Sequence, residues 1–143
     1  MSFYLDTNAI YSYIFSDAHS QRIDNWIARR AAPIFISDWV EAEFYALVWR
    51  RLRGGGLTSD AAKIGIGEFE AFVRLHARGL SLSPSAGVLA ASLARDPALK
   101  LSAADALHLA LAASDCLGLV TFDDRLADAA KARGYRVETL YVL

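Results

Sequence analysis

Four acidic residues fall where a carboxylate can do chemistry. Asp6 ends the apolar run of YLDTNAI. Glu43 lies in ISDWVEAEF, one turn into an expected helix. Asp105 sits in SAADALHLALAA, and Asp123 follows the run in LVTFDDRLA. Carboxylates at such points serve as general acids or bases, as nucleophiles, or as oxygen ligands for hard divalent cations. Each also has a plain structural use. Asp6 can cap a helix, Glu41 and Glu43 both suit a positive helix end, and either Asp123 or Asp124 can cap the helix after it. Asp105 is harder to explain that way. Its helix is apolar on nearly every side and therefore buried, and Ser102 already supplies the cap. An ionised carboxylate there needs a cation, or a pairing with His108 or an Arg.

The elements that position these residues alternate along the chain. Short strands are expected at Ser2 to Leu5, Ile34 to Ile36, Leu80 to Leu82, Leu119 to Thr121 and Arg136 to Tyr141. Helices are expected from Asn8 to Phe15, from Ala18 to Arg30, and from Ser37-Asp38 to about Arg53, where Gly54-Gly55-Gly56 stops the chain. Others run from Thr58 or Ser59 to near Gly79, from Pro84 to about Arg95, from Ala103 to Cys116, and from Asp124 to Arg133. This is an α/β chain forming a three-layer α/β/α domain around a parallel sheet of four to five strands. The single domain takes up residues 1–143. In such folds ligands bind beyond the carboxyl ends of the strands, where the strand order reverses. Asp6, Glu43 and Asp123 fall just past strands at one sheet edge, and Asp105 is on the helix leading into the strand before Asp123. Four carboxylates meeting there repel one another, and Mg²⁺ or Mn²⁺ is the natural compensation.

Composition narrows the remaining classes. Hydrophobic residues make up 55% of the chain and charged residues 22%, enough for a packed core. No apolar run is long enough to span a bilayer, and MSFYLDTN lacks a signal-peptide pattern, so a cytoplasmic protein with no membrane contact is expected. The single cysteine, Cys116, excludes an internal disulfide and reads as a core filler. His19, His76 and His108 have no metal-ligand spacing. A net charge of −1 does not advertise a general nucleic-acid binder, yet Arg50, Arg51 and Arg53 form a local basic cluster. That cluster serves either phosphate binding or the helix C-terminus. Arg50 is seven residues from Glu43 and shares its helix face, which makes it the candidate to grip a substrate phosphate.

Taken together, these residues resemble the PIN-domain nucleases, and within them the VapC-type toxins of bacterial toxin–antitoxin pairs. YLDTNAI is similar to the opening motif, with Asp6 as first metal ligand and Thr7 and Asn8 as polar support. The stretch from Ser37 to Glu43 has the family's spacing and selects Glu43 over Glu41. LSAADALHLALA resembles the third motif and selects Asp105. LVTFDDRLA resembles the fourth, with Thr121 and then Asp123 rather than Asp124. Each motif is weak alone, but four in order across almost the whole chain are strong together.

The resemblance implies a Mg²⁺- or Mn²⁺-dependent endoribonuclease with Asp6, Glu43, Asp105 and Asp123 at its centre. Thr7, Asn8, Ser37 and Thr121 would orient those carboxylates. It further implies RNA as substrate, a small antitoxin as partner, a homodimer, and products with 5′-phosphate and 3′-hydroxyl ends. Trp26, Trp39, Trp49, Tyr11, Tyr13 and Phe15 provide aromatics for the core or an interface. Three other readings compete. One is a phosphatase with Asp6 as nucleophile, against which stand Asn8 where a second Asp is wanted and Lys63, Lys100 and Lys131 in or near helices. Another is a non-catalytic module that binds RNA or protein. The third is metal-free cleavage with His108 as base, which lacks an acid partner.

Overall fold

The computed structural model describes residues 1–30 and 32–140. Its five strands are β1 (Phe3–Leu5), β2 (Ile34–Ser37), β3 (Ala77–Leu80), β4 (Gly118–Thr121) and β5 (Val137–Thr139). All pair in parallel, in the order β3-β2-β1-β4-β5. Around them run α1 (Thr7–Ile14), α2 (Ser20–Arg29), α3 (Asp38–Arg53), α4 (Ser59–His76), α5 (Pro84–Arg95), α6 (Ala103–Ser114) and α7 (Asp124–Ala132), with a 3₁₀ turn at Pro97–Leu99. Right-handed crossovers put α1 to α4 on one face and α5 to α7 on the other. The packing agrees: α1 packs on α2, α3 and α4, while α5 packs on α6 and α6 on α7.

The chain starts in the middle of the sheet, moves outward through β2 to β3, then returns past β1 to β4. The strand order therefore reverses between β1 and β4. Phe3, Tyr4 and Leu5 are fully enclosed, as a central parallel strand requires. Beyond this ladder the Asp6 amide still donates to the Val120 carbonyl at 3.2 Å, so the first residue past β1 is anchored to β4. Ser37, Thr58, Ser83 and Ser102 each cap a helix by accepting a backbone N–H, as their side-chain chemistry predicts.

Several boundaries differ from the sequence reading. The third strand is Ala77–Leu80, not Leu80 to Leu82, and α4 stops at His76. Pairing of β3 with β2, from Ile34↔Ala77 to Ser37↔Leu80, sets this register. As an edge strand, β3 is largely exposed and carries little apolar pattern to read. Helix α6 ends at Ser114, and Cys116 is exposed with φ 55°, turning the chain into β4 rather than filling the core. The last strand covers Val137–Thr139, and Tyr141 lies outside the described residues. Among those residues no helix is long and apolar enough to cross a membrane.

Candidate active site

Asp6 stands at the point where the sheet reverses. Its backbone leaves β1, and its Oδ1 caps α1 by accepting the Ala9 N–H at 2.9 Å. Its Oδ2 accepts a hydrogen bond from the Thr121 hydroxyl at the end of β4. The capping role and the crevice position thus belong to the same side chain. Asp6 is buried, and burial first of all pushes its carboxyl above the ordinary carboxylate range. The Asp123 charge adds to that, while His108, Thr121 and Ala9 pull the other way.

Asp123 follows β4 and is the N-cap of α7, its Oδ1 accepting from Arg125 N at 2.9 Å and Leu126 N at 3.1 Å. Asp124 is exposed in the first turn. The residue singled out by the resemblance is therefore also the cap, not the free partner of one. Thr121 ties the two acids together, since its hydroxyl oxygen accepts the Asp123 N–H at 3.0 Å while its proton goes to Asp6.

Glu43 comes from α3, half-buried. Its Oε1 accepts from the Thr7 hydroxyl at 2.7 Å and from His108 Nε2. Burial opposes the ionised form, but the His108 and Thr7 hydrogen bonds outweigh it and hold the carboxyl below its usual value. Asp105 lies in the first turn of α6, half-buried, and its amide donates to Ser102 Oγ at 3.1 Å. Burial raises its carboxyl, helped by the charges of Asp123 and Glu43. The Asp105–His108 pairing, the alternative to a cation at Asp105, is absent among the described residues. His108 instead bonds Glu43, 65 residues away in sequence, which helix spacing could not reveal.

A pocket of about 230 Å³ opens here, lined by Asp6, Thr7, Asn8, Glu43, Arg50, Asp105 and His108. Three of the four expected carboxylates line it, and Asp123 is the electrostatic neighbour of Asp6 and Asp105. Asn8 is exposed at the rim, and Thr7 reaches Glu43 as support. Ser37 makes no hydrogen bond to a carboxylate among the described residues; its Oγ meets the Tyr4 hydroxyl at 2.9 Å, and that hydroxyl meets His108 Nδ1 at 2.8 Å. Tyr4 is the site residue the sequence reading passed over, and His108, weighed there as a partner of Asp105 or as a base, meets Tyr4 and Glu43 instead. A tyrosine inside an otherwise aliphatic central strand was the available signal, because a buried phenol needs a partner. Burial drives the Tyr4 hydroxyl far above its normal pKa, so it stays protonated.

Among the described residues no three His, Cys, Asp or Glu side chains stand close enough together to hold a metal ion as they are. The chemistry of the group nevertheless fits a hard divalent cation. Its donors are carboxylate oxygens, and two of them, on Asp6 and Asp105, are forced up in pKa by burial and then by the Asp123 charge, a mismatch that a cation would relieve. Asp6, Glu43, Asp105 and Asp123 are the residues able to take part.

Comparisons with known proteins bear on the family and the fold. A profile of the PIN domain matches residues 3–132. No curated protein matches the sequence. Among solved structures, FitAcB of Neisseria gonorrhoeae is similar over 100% of both chains, with a TM-score of 0.78 and 21% identity. VapC20 of Mycobacterium tuberculosis, described as a sarcin-ricin loop cleaving toxin, is similar over 89% of this chain and 94% of its own, with a TM-score of 0.70 and 20% identity. VapBC2 of Rickettsia felis, bound to a DNA fragment from its promoter, is similar over 96% and 98%, with a TM-score of 0.69 and 17% identity. The fold, the parallel sheet and the profile agree: the chain belongs to the PIN domain family.

Proposed function

We propose that this protein is a divalent-metal-dependent endoribonuclease and the toxin of a type II toxin–antitoxin pair. The observation that carries the proposal is the pocket that gathers Asp6, Glu43 and Asp105 from three separate elements, with Asp123 beside them. These acids come from widely spaced parts of the chain, and stability alone gives no reason to collect them. The toxin assignment is supported by the likeness to VapC20, described as a sarcin-ricin loop cleaving toxin, and by the likeness in fold to FitAcB and VapBC2.

Asp6 and Asp105 are the main candidates to hold Mg²⁺ or Mn²⁺, with Glu43 and Asp123 binding directly or through water. When bound, such an ion lowers the pKa of water and offsets the charge that develops on a phosphodiester during in-line displacement. The chain's own contribution is placement. Thr121 fixes Asp6, Thr7 fixes Glu43, Asn8 lines the rim, and Ser37 acts through Tyr4. Arg50 is exposed on the pocket wall and binds a substrate phosphate. A small antitoxin silences the enzyme, and the protein acts in the cytoplasm as a homodimer.

His108 is a poor general base here, since it is buried and both ring nitrogens are engaged. One observation favours the binding-module reading: Asp6, Glu43 and Asp123 all have oxygens occupied by protein donors. Incubation of end-labelled RNA with purified protein separates the readings. Cleavage in Mn²⁺ that stops in EDTA, leaves 5′-phosphate ends and is lost in Asp6→Asn supports the nuclease. RNA binding with no cleavage in Mn²⁺ supports the module. Cleavage that persists in chelator overturns metal dependence.

A further inference from the structure

A line of buried polar atoms runs behind the acidic pocket and ends on one of its carboxylates. Ser37 Oγ is 2.9 Å from the Tyr4 hydroxyl, which is 2.8 Å from His108 Nδ1, and His108 Nε2 bonds Glu43 Oε1. Ser37 and Tyr4 are both 0% exposed and His108 is 3% exposed. The four residues come from β2, β1, α6 and α3. Nothing about the packing of four apolar-lined elements requires such a line, and each of its members carries a desolvation cost unless every proton finds an acceptor.

The direction of the protons follows from the end groups. An ionised carboxylate has no proton to give, so His108 Nε2 carries one and donates it to Glu43. With a neutral ring, Nδ1 is then an acceptor and receives the Tyr4 hydroxyl proton. The Tyr4 oxygen in turn accepts from Ser37 Oγ, which has the Val40 N–H on its other side at 3.0 Å. Every donor is used once. Protonating the ring at both nitrogens reverses the tyrosine, and the Ser37 hydroxyl proton then has no acceptor among the described residues.

We propose that Tyr4 and His108 are positioning residues for Glu43, aligning its carboxylate with the pocket through a one-way hydrogen-bond chain that begins at Ser37. This rests on the nuclease reading, which makes Glu43 a metal-site carboxylate. Two donors, His108 Nε2 and the Thr7 hydroxyl, occupy the same oxygen, Oε1. Oε2 is therefore the atom left to face an ion. Such supports, when lost, typically cost about 10- to 100-fold in metal affinity or activity.

The test compares wild type, His108→Leu, His108→Gln and Tyr4→Phe, each checked for fold by near-UV circular dichroism. Mn²⁺ binding is measured by calorimetry, and RNA cleavage gives kcat and KM separately. His108→Leu is expected to weaken Mn²⁺ binding about 10- to 100-fold and to lower kcat with KM for RNA little changed. His108→Gln, which keeps an N–H able to reach Glu43, restores most of the affinity, and Tyr4→Phe gives a partial loss. Wild-type Mn²⁺ affinity and kcat in Tyr4→Phe, or in a folded His108→Leu, overturn the proposal. Imidazole ¹⁵N spectra of metal-free wild type read the chain itself, with Nε2–H and bare Nδ1 expected; an Nδ1–H tautomer refutes it. A wild type that binds no Mn²⁺ and cuts no RNA brings down the nuclease reading instead, and the positioning role with it.

Discussion

The Thr121 hydroxyl, at the end of β4, donates to Asp6 Oδ2 at the end of β1, across the one point where the strand order of the sheet reverses. Asp6 is thereby held from two sides, by the Ala9 amide of its own helix and by the neighbouring strand. Thr121→Val keeps the shape and removes the hydroxyl. The Asp123 N–H loses its acceptor in the same change. The expected stability cost is about 1–3 kcal/mol, and the expected loss of cleavage is about 10- to 100-fold. Urea unfolding and a cleavage time course check the two separately. A variant that is destabilised but cleaves at the wild-type rate removes Thr121 from the site.

Asp6→Asn should stabilise the metal-free protein while abolishing turnover. The folded-state pKa of Asp6 is raised by burial, so the folded chain binds a proton more tightly than the unfolded chain. Stability then falls as pH rises from the ordinary aspartate range through the raised value, and the full cost is present above it. Asn carries no charge and still caps α1 through Ala9. In chelator near neutral pH the variant should therefore melt higher than wild type, and the gap should close as pH falls below the ordinary carboxylate range. An equal or lower melting temperature near neutrality would show that the local donors, not burial, govern Asp6.

How much of this could be read beforehand varies from residue to residue. Asp6, Glu43 and Asp105 were legible because motif spacing and helix or strand ends are local properties, and all three line the pocket. Ser37 and Ser102 were legible as caps for the same reason. The His108–Glu43 bond was not, because it joins two helices through the fold, and helix spacing brings only Asp105 within view of His108. Cys116 was misplaced because an apolar neighbourhood in sequence says nothing of a backbone turned to positive φ at the helix end. The shift of β3 to Ala77–Leu80 came from pairing with β2, a tertiary preference that outweighs the helical pattern running up to it.

Helix α4 offers a test of the packing beneath α1. A methyl group at Gly65 would lie 2.0 Å from Phe15 Cζ, whereas one at Gly67 meets nothing within 4 Å. Both substitutions gain the helix preference of Ala over Gly, about 0.8–1 kcal/mol. At Gly65 that gain competes with overpacking of about 1–3 kcal/mol, since Phe15 is wedged near Tyr11 and Phe44. Gly67→Ala should raise the urea midpoint and Gly65→Ala should lower it. The same sign for both would mean that the Phe15 ring swings aside without cost.

The raised carboxyls of Asp6 and Asp105 set the pH dependence of ion binding. A proton held above the ordinary range competes with Mn²⁺, so affinity should begin to fall, on acidification, at a higher pH than free carboxylates would give. Glu43 is held low and should not add to this effect. Binding should release protons, which calorimetry in two buffers of different ionisation enthalpy will count. No proton release just above the ordinary carboxylate range would mean that Asp6 and Asp105 are already ionised before the ion arrives.

Arg50 and Arg53 lie on the same helix end but face different tasks. Arg50 lines the acidic pocket and Arg53 does not, and neither makes an ion pair within the described residues. Arg51 lies over the Tyr11 ring at 5.7 Å and is partly committed to packing. If Arg50 holds a substrate phosphate, Arg50→Ala should raise KM for RNA and reduce the slope of log affinity against log salt by about 0.7, the value for one single-strand phosphate contact. Arg53→Ala should leave both nearly unchanged. Fluorescence anisotropy with labelled RNA across a salt series, using the inactive Asp6→Asn background, measures the slope without cleavage. Equal slopes for the two variants would make the cluster a solvated helix end and nothing more.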